Sequence, residues 1–344
     1  MHSLGFDLSP PSLRGSRLDG VAAMLRGNFV ALGLLSLVLC AMSGPALAAR
    51  AEIPSAQGGQ TEKQTGEQFL SYLQSKQLGQ AISLGEQAVV RWPQNADFHH
   101  WLGVAYFQSG KNAEALEQLG QAAKLRPDDY DIHFDTALVH LQQRQYAAAA
   151  EQLQKSLRLK PDQSLAHLLL GRAYQNSNRS LQAIEEFKTA LRLKPNIELG
   201  HYHLGYAYAS MGRDQEAIAE YKKEVARGDG DAEVYYQLGH VQLQSGQAQA
   251  AVENLQKATT QDSTRADAFY DLGKALLALK QTPAAIAALR RSIALNSNDP
   301  STHYQLSRAL RLTGDTAAAN SELQLFEQLR RQQPQTGGMA SGVR

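Results

Sequence analysis

The chain has very little cysteine and no excess of either charge. Its only cysteine is Cys40, and its formal net charge is +1 over 344 residues. Cys40 lies in an N-terminal segment that we expect to be removed, so the mature chain has no thiol for disulfides, catalysis or metal binding. The near-zero charge offers no broad basic surface for nucleic acid. β-Branched residues are also sparse after residue 60, which favours helices over strands.

Recognisable catalytic motifs are missing as well. The sequence has no phosphate-binding loop, no H-E-x-x-H, no G-x-S-x-G and no dinucleotide fingerprint. The stretch Gly228–Asp231 reads GDGD, but it lacks the twelve-residue frame of a calcium loop and lies where a turn is expected. We therefore predict that the protein is not an enzyme and has neither a cofactor nor a metal site.

No apolar run reaches the length of a comfortable membrane span. The longest, Phe29–Met42, has about 14 residues, whereas a span needs about 20. The small-x-small sequence Ala46-Leu47-Ala48 follows it, as at a signal-peptidase site. We predict a signal peptide over residues 1–48, cleaved near Ala48, and export to a bacterial periplasm or the medium. A start at Met24 would give a better-proportioned signal. Retention of the segment as an anchor is the alternative.

What the chain does contain is a period of 34 residues. Pro93, Pro127, Pro161 and Pro195 follow one another at this interval. We number eight repeats from residues 62, 96, 130, 164, 198, 232, 266 and 300, and positions 1 to 34 within each. In repeat 2, the recurring residues at positions 7, 8, 11, 15, 20, 24 and 27 are Leu102, Gly103, Tyr106, Gly110, Ala115, Leu119 and Ala122. Their spacing of three and four predicts two amphipathic helices in each repeat.

Each recurring residue type has a physical reason. Small residues at positions 8 and 20 allow the two helices to approach closely, and glycine at position 15 allows the first helix to turn. Proline at position 32 ends the second helix. We expect Asp128, Asp162 and Asn196 to cap the next first helix, as also Asp231 and Asp299 in later repeats. In repeat 1, Gly85 at position 24 predicts looser packing.

With these motifs, the sequence resembles the tetratricopeptide repeat family over about residues 62–331. The resemblance implies an all-α fold, a right-handed superhelical solenoid of about eight helical pairs over residues 62–333, with a concave groove lined mainly by first helices. The segment 49–61 is predicted to be a flexible linker and 334–344 a disordered tail.

Histidine recurs at position 4, in five of the eight repeats: His99, His133, His167, His201 and His303. A ladder of metal sites is one interpretation. However, neighbouring helices lie about 8–10 Å apart, and zinc needs its ligands within about 2.1 Å of one ion. Tyr235 and Phe269 also occupy this position. We therefore favour a flat ring that packs between repeats.

The resemblance also implies that positions 2, 5, 9 and 12 of the first helices face the groove, and we call these positions the groove face. Our candidate binding residues lie at positions 5 and 9, where aromatic and basic side chains become frequent towards the C-terminus. They are His100, Phe134, Arg172, Tyr202, Tyr206, Tyr236, His240, Tyr270, Lys274, Tyr304 and Arg308. Tyrosine and arginine often carry binding energy at interfaces. The alternative is that some of these rings pack on the next repeat.

These features predict a non-catalytic, exported scaffold that binds a protein or peptide partner, with no nucleic acid. An accessory subunit of an envelope complex, for polysaccharide export or outer-membrane assembly, is the second hypothesis. The third is part of a glycosyltransferase system, although such arrays attach a large catalytic domain and only Pro334–Arg344 follows the repeats here. No repeat has the Lys and Asn pair at positions 5 and 9 that some family members use to hold a C-terminal carboxylate.

Overall fold

A computed structural model describes residues 60–228 and 230–332 of the chain. Within these ranges the protein has sixteen α-helices and no strand, which confirms the predicted all-α fold. The helices are α1 Glu62–Gln74, α2 Leu78–Arg91, α3 Ala96–Gln108, α4 Asn112–Leu125, α5 Tyr130–Gln142, α6 Tyr146–Leu159, α7 Ser164–Asn176, α8 Ser180–Leu193, α9 Gly200–Ser210, α10 Asp214–Ala226, α11 Ala232–Gln244, α12 Ala248–Gln261, α13 Ala266–Ala278, α14 Thr282–Leu295, α15 Pro300–Leu312 and α16 Thr316–Gln332. The predicted signal peptide, most of the predicted linker and the predicted tail lie outside the described residues.

The helices form two compact units. The N-terminal unit runs to Ser177 and contains α1 to α7, and the C-terminal unit starts at Asn178 and contains α8 to α16. Within each unit, the odd-numbered helix of a repeat packs against its even-numbered partner, and that partner packs against the first helix of the next repeat. Each unit is therefore a stack of helical hairpins whose neighbours share one apolar core.

Small residues at position 8 set the distance between the two helices of a repeat, as predicted. A Cβ atom added at Gly103 would lie 2.7 Å from Cγ of Leu119, the large residue at position 24. Gly239 and Gly273 meet Leu255 and Leu289 in the same way. In these three repeats a side chain at position 8 would overlap the facing helix, so their close crossing depends on glycine.

Repeat 1 reverses this arrangement. Phe69 occupies position 8, is fully buried, and lies against Gly85 at position 24, so that a Cβ atom at Gly85 would overlap its ring. The same Cβ would lie 3.0 Å from Cδ1 of Leu102. The prediction of looser packing at Gly85 is therefore wrong, because the large ring enters from the opposite helix and fills the space.

The turn at position 15 is left-handed in every repeat. Glycine takes this conformation in four repeats, with φ between +70° and +82° at Gly110, Gly212, Gly246 and Gly314. In the other four repeats a residue with a side chain does so, with φ between +56° and +60°: Lys76, Arg144, Asn178 and Lys280. The geometry is therefore imposed by the hairpin and holds even where the sequence does not supply glycine.

Three of the five predicted caps of the first helices do not form. Asp129, and not Asp128, is the N-cap of α5, and its carboxylate accepts hydrogen bonds from the backbone N–H groups of Asp131 and Ile132. Gln163, and not Asp162, precedes α7 without a side-chain cap. The residue before α9 is Leu199, so Asn196 does not cap that helix either. Asp231 and Asp299 do cap α11 and α15, as predicted.

Tyrosines at position 11 join consecutive repeats. The hydroxyl of Tyr106 donates to the carboxylate of Glu86, 2.7 Å away, at position 25 of the preceding repeat. Tyr174 accepts from the amide of Gln154 at the same position of its own preceding repeat, 2.6 Å away. Burial, together with the hydrogen bond to Glu86, raises the pKa of Tyr106 to about 12. A side-chain hydrogen bond from position 11 thus links each of these two pairs of repeats.

None of the helices described here combines the length and the apolar composition that crossing a bilayer requires.

Candidate functional site: the groove face of the first helices

In the N-terminal unit the predicted binding residues are buried. His100 and Phe134 are each 5% exposed, and Arg172 is 6% exposed. Nε2 of His100 lies 2.7 Å from Oδ2 of Asp135 on the next first helix, and both side chains are buried. The ring of Phe134 stacks on that of Tyr130. All three side chains are therefore buried, and His100 connects two neighbouring first helices, which is packing of the kind that the sequence left open as the alternative.

Tyr202 is also part of the core. It is 2% exposed and packs against the rings of Tyr221 and His203, with centroid distances of 5.8 and 5.3 Å. Burial raises its pKa well above the ordinary value of 10.0. Tyr202 is therefore not accessible for binding as predicted, because α9 and α10 enclose it.

Tyr236 is half-buried, and a basic side chain covers its ring. The guanidinium carbon of Arg265 lies 4.2 Å from the ring centroid. Arg265 in turn forms ion pairs with Glu233 and with Asp267, both at position 2 of the groove face. Burial opposes the charge on Arg265, but the hydrogen bonds that its guanidinium donates to these two carboxylates outweigh burial and raise its pKa. This cluster fills the groove face at the beginnings of α11 and α13.

The accessible candidates lie nearer the ends of the first helices in the C-terminal unit. Tyr206 is 39% exposed. His240 and Lys274 are partly exposed, and both contact the buried carboxylate of Asp271: Nδ1 of His240 lies 2.6 Å from Oδ2, and Nζ of Lys274 lies 3.6 Å from Oδ1. Tyr270 is half-buried with Nζ of Lys274 5.1 Å from its ring centroid. Asp271 therefore orients two of the predicted residues.

Tyr304 and Arg308 are the most open pair. Tyr304 is 41% exposed and touches Phe326 of α16, with ring centroids 5.3 Å apart. The guanidinium of Arg308 donates to the side-chain oxygen of Gln305, 3.1 Å away, and lies 6.0 Å from the ring of Tyr304. Both side chains project from α15 with much of their surface in solvent. This part of the groove face can contact another molecule without any rearrangement of the core.

A shallow pocket of about 430 Å³ lies beside this pair, between the last turns of α11, α13 and α15. We call it the basic pocket. Its walls combine three cations with three leucines: Lys274, Arg308, Arg311, Leu243, Leu277 and Leu312. Arg311 and the leucines were not among the predicted residues, which all lie at positions 5 and 9. Position 12 of the groove face, which holds Leu243, Leu277 and Arg311, was the signal that could have found them.

The histidines at position 4 bridge segments of the fold. Nε2 of His99 donates to the carbonyl of Pro93 at 3.1 Å, and Nδ1 lies 2.8 Å from the amide oxygen of Gln118. His303 is held in the same way between the carbonyl of Ser297 and the carboxylate of Glu322. His133 makes the same two contacts, with Pro127 and Gln152. These three histidines therefore have a polar role beyond the ring packing expected from the sequence, since each ties an inter-repeat turn to the second helix of its repeat. Among residues 60–228 and 230–332, no group of three or more His, Cys, Asp or Glu side chains is arranged to hold a metal ion.

The architecture and sequence agree with a known repeat family. Four overlapping or successive segments of the chain match the tetratricopeptide repeat family: residues 67–124, 102–164, 168–232 and 236–300. The chain belongs to the tetratricopeptide repeat (TPR) family. The resemblance noted in the sequence is thereby confirmed over more than half of the chain.

Solved TPR structures share the fold at low sequence identity. A TPR protein from Parabacteroides merdae ATCC 43184 is 17% identical, with a TM-score of 0.53, over 73% of this chain and 100% of that one. YrrB, described as a TPR protein with an unusual peptide-binding site, is 17% identical, with a TM-score of 0.50, over 54% of this chain and 95% of that one. MamA is 25% identical, with a TM-score of 0.45, over 47% and 95% of the two chains. Comparison with curated proteins gives no match.

Proposed function

We propose that this TPR protein is a non-catalytic, exported scaffold that binds a segment of another protein on the groove face of its C-terminal unit. The observation that carries the proposal is the open aromatic and basic surface on α15 and its neighbours. There Tyr304 is 41% exposed, and Arg308 has no carboxylate within ion-pair distance in the described part of the chain. Aromatic and arginine side chains with this exposure are the usual anchors of protein interfaces.

The fold supports the same proposal. Stacked helical hairpins present a long row of side chains from successive first helices, which suits an extended or helical segment better than a compact small molecule. YrrB, which shares this fold, is described as having a peptide-binding site. The likeness to YrrB concerns the fold, so the partner of the present protein has to be found by experiment.

Site-specific photo-cross-linking tests the binding proposal. A photoreactive phenylalanine replaces Tyr304 in the full chain in its own cells, and a matched protein carries it at Leu181 of α8, which is 65% exposed in the same unit. We expect a cross-linked protein from position 304 that is absent from position 181. Mass spectrometry identifies it. Equal products from both positions, or none from position 304, would contradict the proposal.

Export has its own test. We propose cleavage near Ala48, so the N-terminal residue of the protein isolated from the cell envelope should be Ala49 or a close neighbour. Edman sequencing or mass spectrometry of the purified protein provides the measurement. An intact N-terminus on protein that resists extraction from membranes would favour the anchored alternative. An intact N-terminus on protein that remains in the cell interior would exclude export.

A further inference from the structure

The basic pocket has more positive charge than the structure neutralises. Arg308 contacts only Gln305 and the ring of Tyr304, and Arg311 forms no ion pair within residues 60–228 and 230–332. Lys274 shares the carboxylate of Asp271 with His240. The carboxylate of Asp271 thus offsets charge on Lys274 and His240 only, and the two arginines of α15 remain open to an anionic partner.

The acidic groups of the groove face lie at the other ends of the same helices. Glu233 and Asp267 are near the beginnings of α11 and α13, and Arg265 holds both. The cations lie in the C-terminal halves of α13 and α15, with Arg311 in the last turn of α15. Interaction of Arg311 with the negative end of α15 favours its placement in the last turn of that helix. It does not account for the convergence of side chains from two helices around one pocket.

The floor of the pocket is apolar and open. Leu243 and Leu277 are partly buried against the core formed by α11 to α14. Leu312 is 70% exposed, an unusual position for a leucine with no covering side chain. The volume of the basic pocket, about 430 Å³, falls within the range of about 300–1,000 Å³ that is usual for ligand sites. An apolar side chain that entered here would be surrounded by cations.

We infer that the basic pocket binds an acidic protein segment in which a large apolar side chain, flanked by aspartate or glutamate, inserts between Leu277 and Leu312. This inference rests on the proposed function and specifies the chemistry of the partner. The flanking carboxylates pair with Arg308 and Arg311, and bidentate pairing favours arginine at such positions. A nucleic acid would instead need free aromatic faces, whereas cations lie over the rings of Tyr236 and Tyr270.

Selection from a phage library of random peptides on the full-length protein tests this chemistry without a known partner. We expect the recovered peptides to be enriched in aspartate and glutamate around a leucine, phenylalanine or tryptophan, relative to the unselected library. Selected sequences that are neutral or basic would overturn the inference, and so would the absence of any enriched sequence. Anionic-lipid vesicles and oligo(dT) are tested in parallel. Tighter binding of either of them than of the peptides, lost in a variant of Arg308 and Arg311, would also overturn the inference.

Matched variants locate the site. The recovered peptide, followed by fluorescence polarisation, should bind the double variant Arg308→Glu/Arg311→Glu at least about tenfold more weakly than wild type. Arg290→Glu, an exposed arginine on α14, should leave affinity unchanged. Leu312→Ser should weaken binding of the peptide. It should have little effect on a peptide whose large apolar residue is replaced by alanine. The exposed control Leu181→Ser should change the affinity of neither peptide. If the peptide bound all variants with equal affinity, its binding site would lie outside the basic pocket.

The two proposals fail in distinguishable ways. If cross-linking from position 304 identifies a partner but the peptides are not acidic, the scaffold function stands and the partner chemistry is wrong. If cross-linking gives no product, the scaffold function itself is contradicted. Thermal unfolding by circular dichroism should be the same for wild type and all these variants, because every substituted side chain is largely exposed.

Discussion

The ring of Phe69 fills the space above Gly85, whereas in repeat 2 a glycine at position 8 lies beneath Leu119 at position 24. The large and small partners have exchanged helices between these two repeats. The crossing thus needs one large and one small residue, and either helix can supply the large one.

A double-mutant cycle tests this exchange. Gly85→Leu alone should cost about 1–3 kcal/mol of stability through overpacking, and Phe69→Gly alone should cost at least about 3 kcal/mol through the cavity. The double variant should be more stable than the sum of the two effects predicts. Denaturant unfolding followed by tryptophan fluorescence is suitable, since Trp92 and Trp101 are the only tryptophans and pack near Phe69. Additive effects would contradict a shared packing site.

Two tyrosines at position 5 should respond differently to truncation. Tyr202→Ala should destabilise the C-terminal unit by about 3–5 kcal/mol, because it empties a fully enclosed site. Tyr304→Ala, at the corresponding position of α15, should cost less than about 1 kcal/mol, since its ring is 41% exposed. Thermal melts monitored by circular dichroism provide the comparison. A soluble, equally stable Tyr202→Ala protein would show that this tyrosine is not structural.

The left-handed turn at Arg144 predicts a stabilising substitution. Its φ of +57° is strained for a residue with a Cβ, so Arg144→Gly should raise stability by about 0.5–1 kcal/mol. Gln143→Gly is the matched control, because Gln143 has φ of −80° and gains nothing from glycine. The melting temperature should rise for the first variant and fall for the second. A fall in both would mean that the turn does not strain Arg144.

Glu220 predicts a pH-dependent contribution to stability. Burial would raise its pKa, but hydrogen bonds from His201 and Lys223, at 2.6 and 2.7 Å, outweigh burial and lower the pKa below its ordinary value of 4.5. A carboxyl whose pKa falls on folding stabilises the protein above pH 4.5, and this stabilisation is lost as the pH falls through the lowered pKa. The change of stability with pH is therefore expected only in the acidic range.

Glu220→Gln should therefore lower stability at neutral pH by on the order of 1 kcal/mol, and the difference from wild type should shrink as the pH falls below 4.5. Glutamine occupies the same position beneath His99 and His133, as Gln118 and Gln152, so the variant should fold. Chemical denaturation across the acidic range gives the measurement, with Glu253→Gln as an exposed control. A difference that is constant with pH would rule out the charge of Glu220 as its source.

The sequence predicted most of the repeat geometry, because its period constrains each position many times. The helix pairs, the glycine turn represented by Gly110 and the caps at Asp231 and Asp299 all follow from recurrent local chemistry. The exchange of Phe69 and Gly85 could not be seen one position at a time, since it compensates across two helices. A missing consensus residue was therefore interpreted as a defect.

The accessibility of the groove face was the less predictable part. Position 5 holds Tyr202 in the core and Tyr304 at the surface, although sequence places them identically. What separates them is how closely the adjacent helices approach, which depends on contacts such as that between Tyr202 and Tyr221. The helical period fixes the direction of a side chain, but the neighbouring repeat decides whether solvent reaches it.

The hydrogen bond between Tyr106 and Glu86, and its counterpart between Tyr174 and Gln154, have a mechanical consequence. Each hydrogen bond connects one repeat only to the repeat before it, so these two inter-repeat interfaces of the N-terminal unit are stabilised separately. A stretching force applied along this unit would act on its inter-repeat interfaces in series, and the weakest interface would open first. The repeats on either side would remain folded hairpins, able to close again when the load is released.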